Sequence, residues 1–227
     1  MRRGMKVTLL LAAVLGLYQV AASASASAIG SSSPTMKPRT PEDMAKDYYN
    51  SGVRHKDKGK QLEERADTQV FKDDKDRDKY EAKIKDEFTS ALKDFKKAAE
   101  LNPSLAQAFN GMGYAYRKTG DATQALAMYD KALQMAPGFP DAVEYRGEAY
   151  LALGRIDDVK QAYLALVATD RPQADLLMKA MGAWVAKPPA GLEPAALSDF
   201  VAWINDRAKL ASTTADMGLT SNQTVWK

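Results

Sequence analysis

Cysteine is missing from this chain and histidine occurs once, as His55. Without cysteine there is no disulfide framework, no thiol nucleophile and no thiol to carry a lipid, so the fold must be held by packing alone. Nucleophilic, acid–base and metal chemistry need convergent side chains, and one imidazole with no glycine-rich phosphate loop supplies no such set. Carboxylates are plentiful, but no pair stands in a recognisable glycosidase-like context. The sequence therefore predicts no enzyme, and neither cofactor nor metal. His55 falls at an interior packing place of a helical pattern and is expected to be a core residue. The ten methionines, among them Met112, Met128 and Met135, fall among helical packing positions and read as core filler.

Long apolar runs are scarce too. The single one, residues 7–20, follows Arg2, Arg3 and Lys6 and precedes overlapping small-residue sites at Ala24, Ala26 and Ala28. Residues 1–28 thus read as a secretory signal peptide rather than an anchor, because the run is shorter than the ~20 residues that cross a bilayer. Cleavage is expected to leave a protein with no stable membrane anchor, periplasmic or secreted. It would also lower the basic residues from 32 to 29, equal to the 29 acidic ones. A neutral chain exerts no long-range pull on nucleic acid, so no nucleic-acid partner is expected.

Residues 29–41 combine serine, glycine and proline without apolar periodicity, and read as a linker. Beyond them the pattern is helical. In residues 106–139, Phe109, Met112, Gly113 and Tyr116 fall at helical spacing, then Ala125, Tyr129 and Ala132, before Pro137. Gly147, Tyr150, Gly154 and Tyr163 repeat Gly113, Tyr116, Gly120 and Tyr129 at a distance of 34 residues, and Ala91, Phe95, Ala98 and Pro103 precede Ala125, Tyr129, Ala132 and Pro137 by the same 34. Two antiparallel helices approach closely only where small residues face large ones, which assigns Gly113, Ala125 and Ala132 as holes for Phe109, Tyr116 and Tyr129. This pattern strongly resembles the tetratricopeptide repeat. The resemblance implies an all-α fold: a short right-handed α-solenoid of about three helix-turn-helix units plus a C-terminal capping helix pair.

The predicted repeat domain covers residues 42–211. Its first unit, 45–105, carries a charged insertion at 60–86. Tyr48, Gly52, His55 and Gly59 stand where Phe109, Gly113, Tyr116 and Gly120 stand in the second unit, 106–139. Apolar residues keep helical phase across the insertion, which predicts a long hairpin turning between residues 70 and 76. The third unit, 140–172, replaces the expected alanines with Val159 and Leu166. Capping helices follow at 173–211, with Leu177, Ala180, Met181 and Trp184 on one stripe, and Leu197, Phe200, Val201, Ile204 and Ala208 on the other. Trp203 lies off that stripe and is expected to mark a contact. Residues 212–227 are polar and unpatterned, and read as a loose tail.

In the family resembled, the first helices of successive units line a concave groove that holds a peptide or a partner's helix. By position this groove would comprise Tyr49, Val53 and Lys56, then Asn110, Tyr114 and Arg117, then Glu144, Glu148 and Leu151. All nine are expected to be free of core duties, with Tyr49 and Tyr114 exposed aromatic anchors and the polarity passing from basic to acidic along the groove. The resemblance implies a scaffold that binds a protein or peptide partner, and the signal-peptide pattern of residues 1–28 leads to the expectation that this happens in the cell envelope. The alternative is a self-associating structural component, a homo-oligomer built through the last apolar helix or the charged hairpin. The lysine–asparagine–arginine clamp of chaperone-binding members is not reproduced.

Overall fold

The structure, a computed structural model, describes residues 38–221, and side chains as far as residue 213. The predicted signal peptide and most of the linker lie outside the described residues. Among those described, the chain is helical throughout: α1 (Pro41–Ala66), α2 (Asp74–Leu101), α3 (Ala106–Lys118), α4 (Ala122–Met135), α5 (Pro140–Ala152), α6 (Ile156–Thr169), α7 (Arg171–Ala186) and α8 (Pro194–Ser221). Each helix packs on the next, and α1, α3, α5 and α7 also touch in succession, as a solenoid of helical hairpins requires.

Local sequence explains the helix ends. Thr40 and Asp43 form a reciprocal capping box at the start of α1, just before Pro41 could continue no earlier helix. Asp73, Asp121 and Asp170 cap α2, α4 and α7 by accepting from the backbone N–H three residues on. Gly120 and Gly154 adopt φ of 94° and 67° at the turns after α3 and α5. There the N–H of Asp121 and of Arg155 close back on the carbonyls of Tyr116 and Tyr150, both at 2.9 Å.

Gly59 occupies the same register place as Gly120 but has a different task. The insertion lets α1 run on to Ala66, so Gly59 lies inside a helix, where a Cβ would stand 2.6 Å from the Phe88 ring. A turn glycine has become a packing hole. Phe95 uses two such holes, since a Cβ at Gly52 or at Gly111 would each stand 2.7 Å from its ring. Gly113 receives Tyr129, at 2.5 Å, whereas Gly147 receives Leu177 of α7, at 2.7 Å, and not the tyrosine of its own hairpin. That tyrosine, Tyr163, instead packs edge-on against Trp203 of α8, with ring centroids 5.5 Å apart. Val159 and Leu166 are fully buried in the same C-terminal core as Leu177, Met181 and Phe200.

The long hairpin has arms of 26 and 28 residues joined by residues 67–73. His55 is not a core residue: its side chain is 37% exposed, and Nδ1 lies 2.8 Å from Glu87 Oε2. Glu87, 9% exposed, also holds Lys58 Nζ at 2.5 Å. Burial raises the Glu87 pKa, but the hydrogen bonds from Lys58 and His55 outweigh it and hold the carboxyl below the usual range. Because both partners are open to solvent, Glu87→Ala should cost only about 1 kcal/mol. Its mark should be faster amide exchange in residues 55–62 and 84–90, and unchanged exchange there would show that the pair clamps nothing.

Three expectations for the C-terminus need correction. Trp203 is not a free contact residue, since it stacks on Phe200 at 6.2 Å and meets Tyr163 edge-on. The helix does not stop at residue 211 either, but runs to Ser221. Ala208, assigned to the buried stripe, is exposed.

Candidate functional site

The first helices of the second, third and capping pairs, α3, α5 and α7, together with Lys60 of α1, enclose a cleft of about 350 Å³. Of the nine groove residues expected from the repeat register, Tyr114, Arg117, Glu144 and Glu148 line it. The others do not. Tyr49 and Val53 pack on the core around Phe95, where the Tyr49 and Phe95 rings lie 5.7 Å apart. Leu151 is buried in the C-terminal core, and Asn110 is 8% exposed with its Oδ1 unpaired. Lys56 stands just outside, its Nζ 5.8 Å from the centre of the Tyr114 ring.

Nor are the four cleft residues free of core duties. Tyr114 is 4% exposed and Glu144 2%. Tyr114 is wedged edge-on between Phe88, at 5.9 Å, and Tyr145, at 5.0 Å. Tyr116, expected to be the packed tyrosine of this helix, is only partly buried. The physical reason is the crowding of α3, which packs against α2 and α4 and also touches α1 and α5. Both faces of such a helix are covered, so a residue facing the groove can be as buried as one facing its partner.

Electrostatics inside the cleft differ from the expected gradient. Arg117 forms an ion pair with Glu148, and its guanidinium stacks on Tyr114 and Tyr145 with centroid distances of 5.2 and 5.7 Å. Burial works against the Arg117 charge, but the Glu148 carboxylate more than compensates and holds it protonated. Glu144 has no such partner. Burial first, then the neighbouring Glu148 carboxylate and a hydrogen bond to it, push the Glu144 carboxyl up to about 9, so it is neutral at physiological pH. Burial likewise raises Tyr114 and Tyr129, and lifts Tyr145 to about 12. The acidic end of the groove is therefore cancelled by an ion pair and a bound proton.

Lys118 also lines the wall, and several wall residues escaped the repeat register: Lys60, Tyr145, and from α7 Leu176, Lys179, Ala180 and Ala183. Helix α7 begins at Arg171, whereas α3 and α5 begin at Ala106 and Pro140. The 34-residue step is shortened by three there, so extrapolation points to the wrong face of α7. A signal was present in the sequence, because Pro172 takes the first turn of α7, where proline belongs.

Comparison with known proteins agrees with this geometry. Models described as tetratricopeptide repeat match residues 85–138 and residues 116–181. Tetratricopeptide repeats are thus detected over residues 85–181. The anaphase-promoting complex subunit CDC16 of Saccharomyces cerevisiae is 28% identical over 97 residues, which is 43% of this chain and 11% of that protein. The chain thus matches about a tenth of the length of that relative. The eight helices of the described residues, without strands, form the α-solenoid that such repeats build. Repeats of this kind serve as surfaces for protein–protein interaction. Among the described residues no helix is long and apolar enough to cross a membrane.

Proposed function

We propose that this protein is a non-catalytic interaction scaffold of the cell envelope that seats a segment of a partner protein in its concave cleft. The observation that carries the reading is the α3–α5–α7 cleft itself. It is a preformed concavity with aromatic walls at Tyr114, buried, and Tyr145, partly buried, and an apolar side chain, Leu176, left 52% exposed at its edge. The envelope location rests on the N-terminal pattern of residues 1–28. Mass spectrometry of the exported protein tests that part: the mature chain should begin between Ser25 and Ile29, and a full-length species retained in membranes would refute it.

The cleft is tested by placing a photo-crosslinking residue at Leu176, and separately at Gln161 of α6, which is exposed and does not line the cleft. Crosslinks to one and the same envelope protein are expected from position 176 and not from 161. Equal capture at both positions, or capture at neither, would contradict the cleft as the binding surface.

A second reading is favoured by a separate patch. Leu164 and Val167 of α6 are 48% and 38% exposed beside Tyr163 and Arg207, and two copies could bury them against each other. Light scattering of the purified protein decides it. Self-association predicts a dimer mass that Leu164→Glu converts to a monomer, and a monomer in the unmodified protein removes this reading.

A further inference from the structure

Deepening the scaffold reading and resting on it, we propose that the cleft takes an acidic, extended segment of its partner, anchored by one apolar side chain and held through its backbone by Glu144. The charges around the cleft set its sign. Arg117 is spent on Glu148, and Lys118 Nζ is paired with Glu63 at 2.6 Å. Lys60 and Lys179 line the same space, are exposed, and among the described residues have no carboxylate within ion-pair distance. Two uncompensated ammonium groups on the rim are complementary to carboxylates of a ligand. A basic or uncharged segment would leave them unmatched.

The floor supplies a second, independent requirement. Glu144 is 2% exposed, lines the cleft, and its Oε2 has no hydrogen-bond partner. A buried polar atom without a partner is costly, and a neutral carboxyl whose proton is shared with a neighbour still has an oxygen that accepts. A backbone N–H of a chain laid along the cleft satisfies it. Between floor and rim, Tyr145, Leu176 and Ala183 offer an apolar surface for one side chain of the segment. Recognition through a backbone N–H and side-chain carboxylates needs no free C-terminus, so an internal segment serves.

The test uses the full chain and three acetylated, amidated peptides of about 12 residues, ~40 Å when extended, read by fluorescence polarisation. One alternates Asp and Glu with Leu and Phe, one replaces the acids with Lys and Arg, and one with Ser and Asn. The acidic peptide alone should bind, and more weakly as salt rises from about 0.05 to about 0.5 M. The double variant Lys60→Ala/Lys179→Ala should weaken it roughly tenfold without altering the melting curve. Glu144→Gln keeps an acceptor and should bind within about twofold, whereas Glu144→Leu, apolar and of similar size, should lose roughly tenfold. Binding of the basic or neutral peptide in preference, no binding of any of the three, or acidic binding indifferent to both lysines would overturn the inference. None of these touches the cleft reading itself, which stands or falls on the crosslink from position 176.

Discussion

Phe95→Ala should destabilise the repeat array by about 3–5 kcal/mol, the range for truncating a fully buried aromatic side chain. Phe95 is 1% exposed and fills two holes at once, one over Gly52 of α1 and one over Gly111 of α3. Its ring thus touches three consecutive helices of the first two units. Helix backbones held apart by a ring cannot close onto an alanine without moving α1 against α3, so much of the cavity should remain. Denaturant unfolding measures the effect. The complementary change, Gly111→Leu, should be comparably damaging, because a Cβ alone would stand 2.7 Å from the ring. If Phe95→Ala cost less than about 1 kcal/mol, the glycine–aromatic contacts would not be what spaces these helices.

The logic of holes and fillers was readable from the chain because a repeat forces each packing decision to recur. Gly113 and Tyr129 announce each other through Gly52 and Phe95 at matching register places, and both pairs meet in the structure. What the register could not say is which partner fills a hole when the array ends. Gly147 waits for Tyr163 by extrapolation, yet Leu177 reaches it from α7, because the capping hairpin starts three residues early. Gly59 shares the register place of the turn glycine Gly120, but the inserted arm carries the helix past it and makes it a hole for Phe88.

The groove was less legible than the core, for a reason visible at Tyr114 and Tyr116. Two residues apart on a helix, they point in roughly opposite directions, about 200° around the axis. Sequence spacing distinguishes their directions but not how much neighbouring structure lies in each. Phe88, Tyr145 and the Arg117 guanidinium all close over Tyr114, while Tyr116 keeps partial access to water beside Lys96. Consequently Tyr114 is both a cleft wall and a core residue, and its replacement by alanine tests stability as much as binding. Residues of exposed rim character, Leu176 and Lys179, are the cleaner probes of the cleft. They were hidden because a capping helix obeys the packing rules of the array and not its period.

Glu144→Gln should stabilise the protein at neutral and alkaline pH, and the gain should vanish in acid. In the folded state burial, the Glu148 carboxylate and their shared hydrogen bond raise the Glu144 carboxyl from 4.5 to about 9. The unfolded chain ionises this group near its ordinary value. Between those two pH values the native state therefore holds one proton more than the unfolded state, and stability falls as pH rises, by up to about 1.4 kcal/mol per pH unit. The stability associated with the protonated group is fully present below pH 4.5 and is lost as pH climbs through 9. Glutamine fills the same space, stays uncharged, can donate to Glu148 and keeps an acceptor toward the cleft. It removes the pH-dependent penalty without opening a cavity. At pH 7.5 the variant should be more stable by about 1–3 kcal/mol, several degrees in Tm for a domain of this size, with the difference closing below about pH 5. Glu87 titrates in the opposite sense, since its carboxyl is held low, so acid should weaken the long hairpin in both proteins alike. Chemical unfolding of both proteins from pH 4.5 to 9 measures the two slopes. A Glu144→Gln gain that stayed constant with pH would mean the carboxyl is ionised in the cleft, and the partner would then meet a buried negative charge in place of a neutral acceptor.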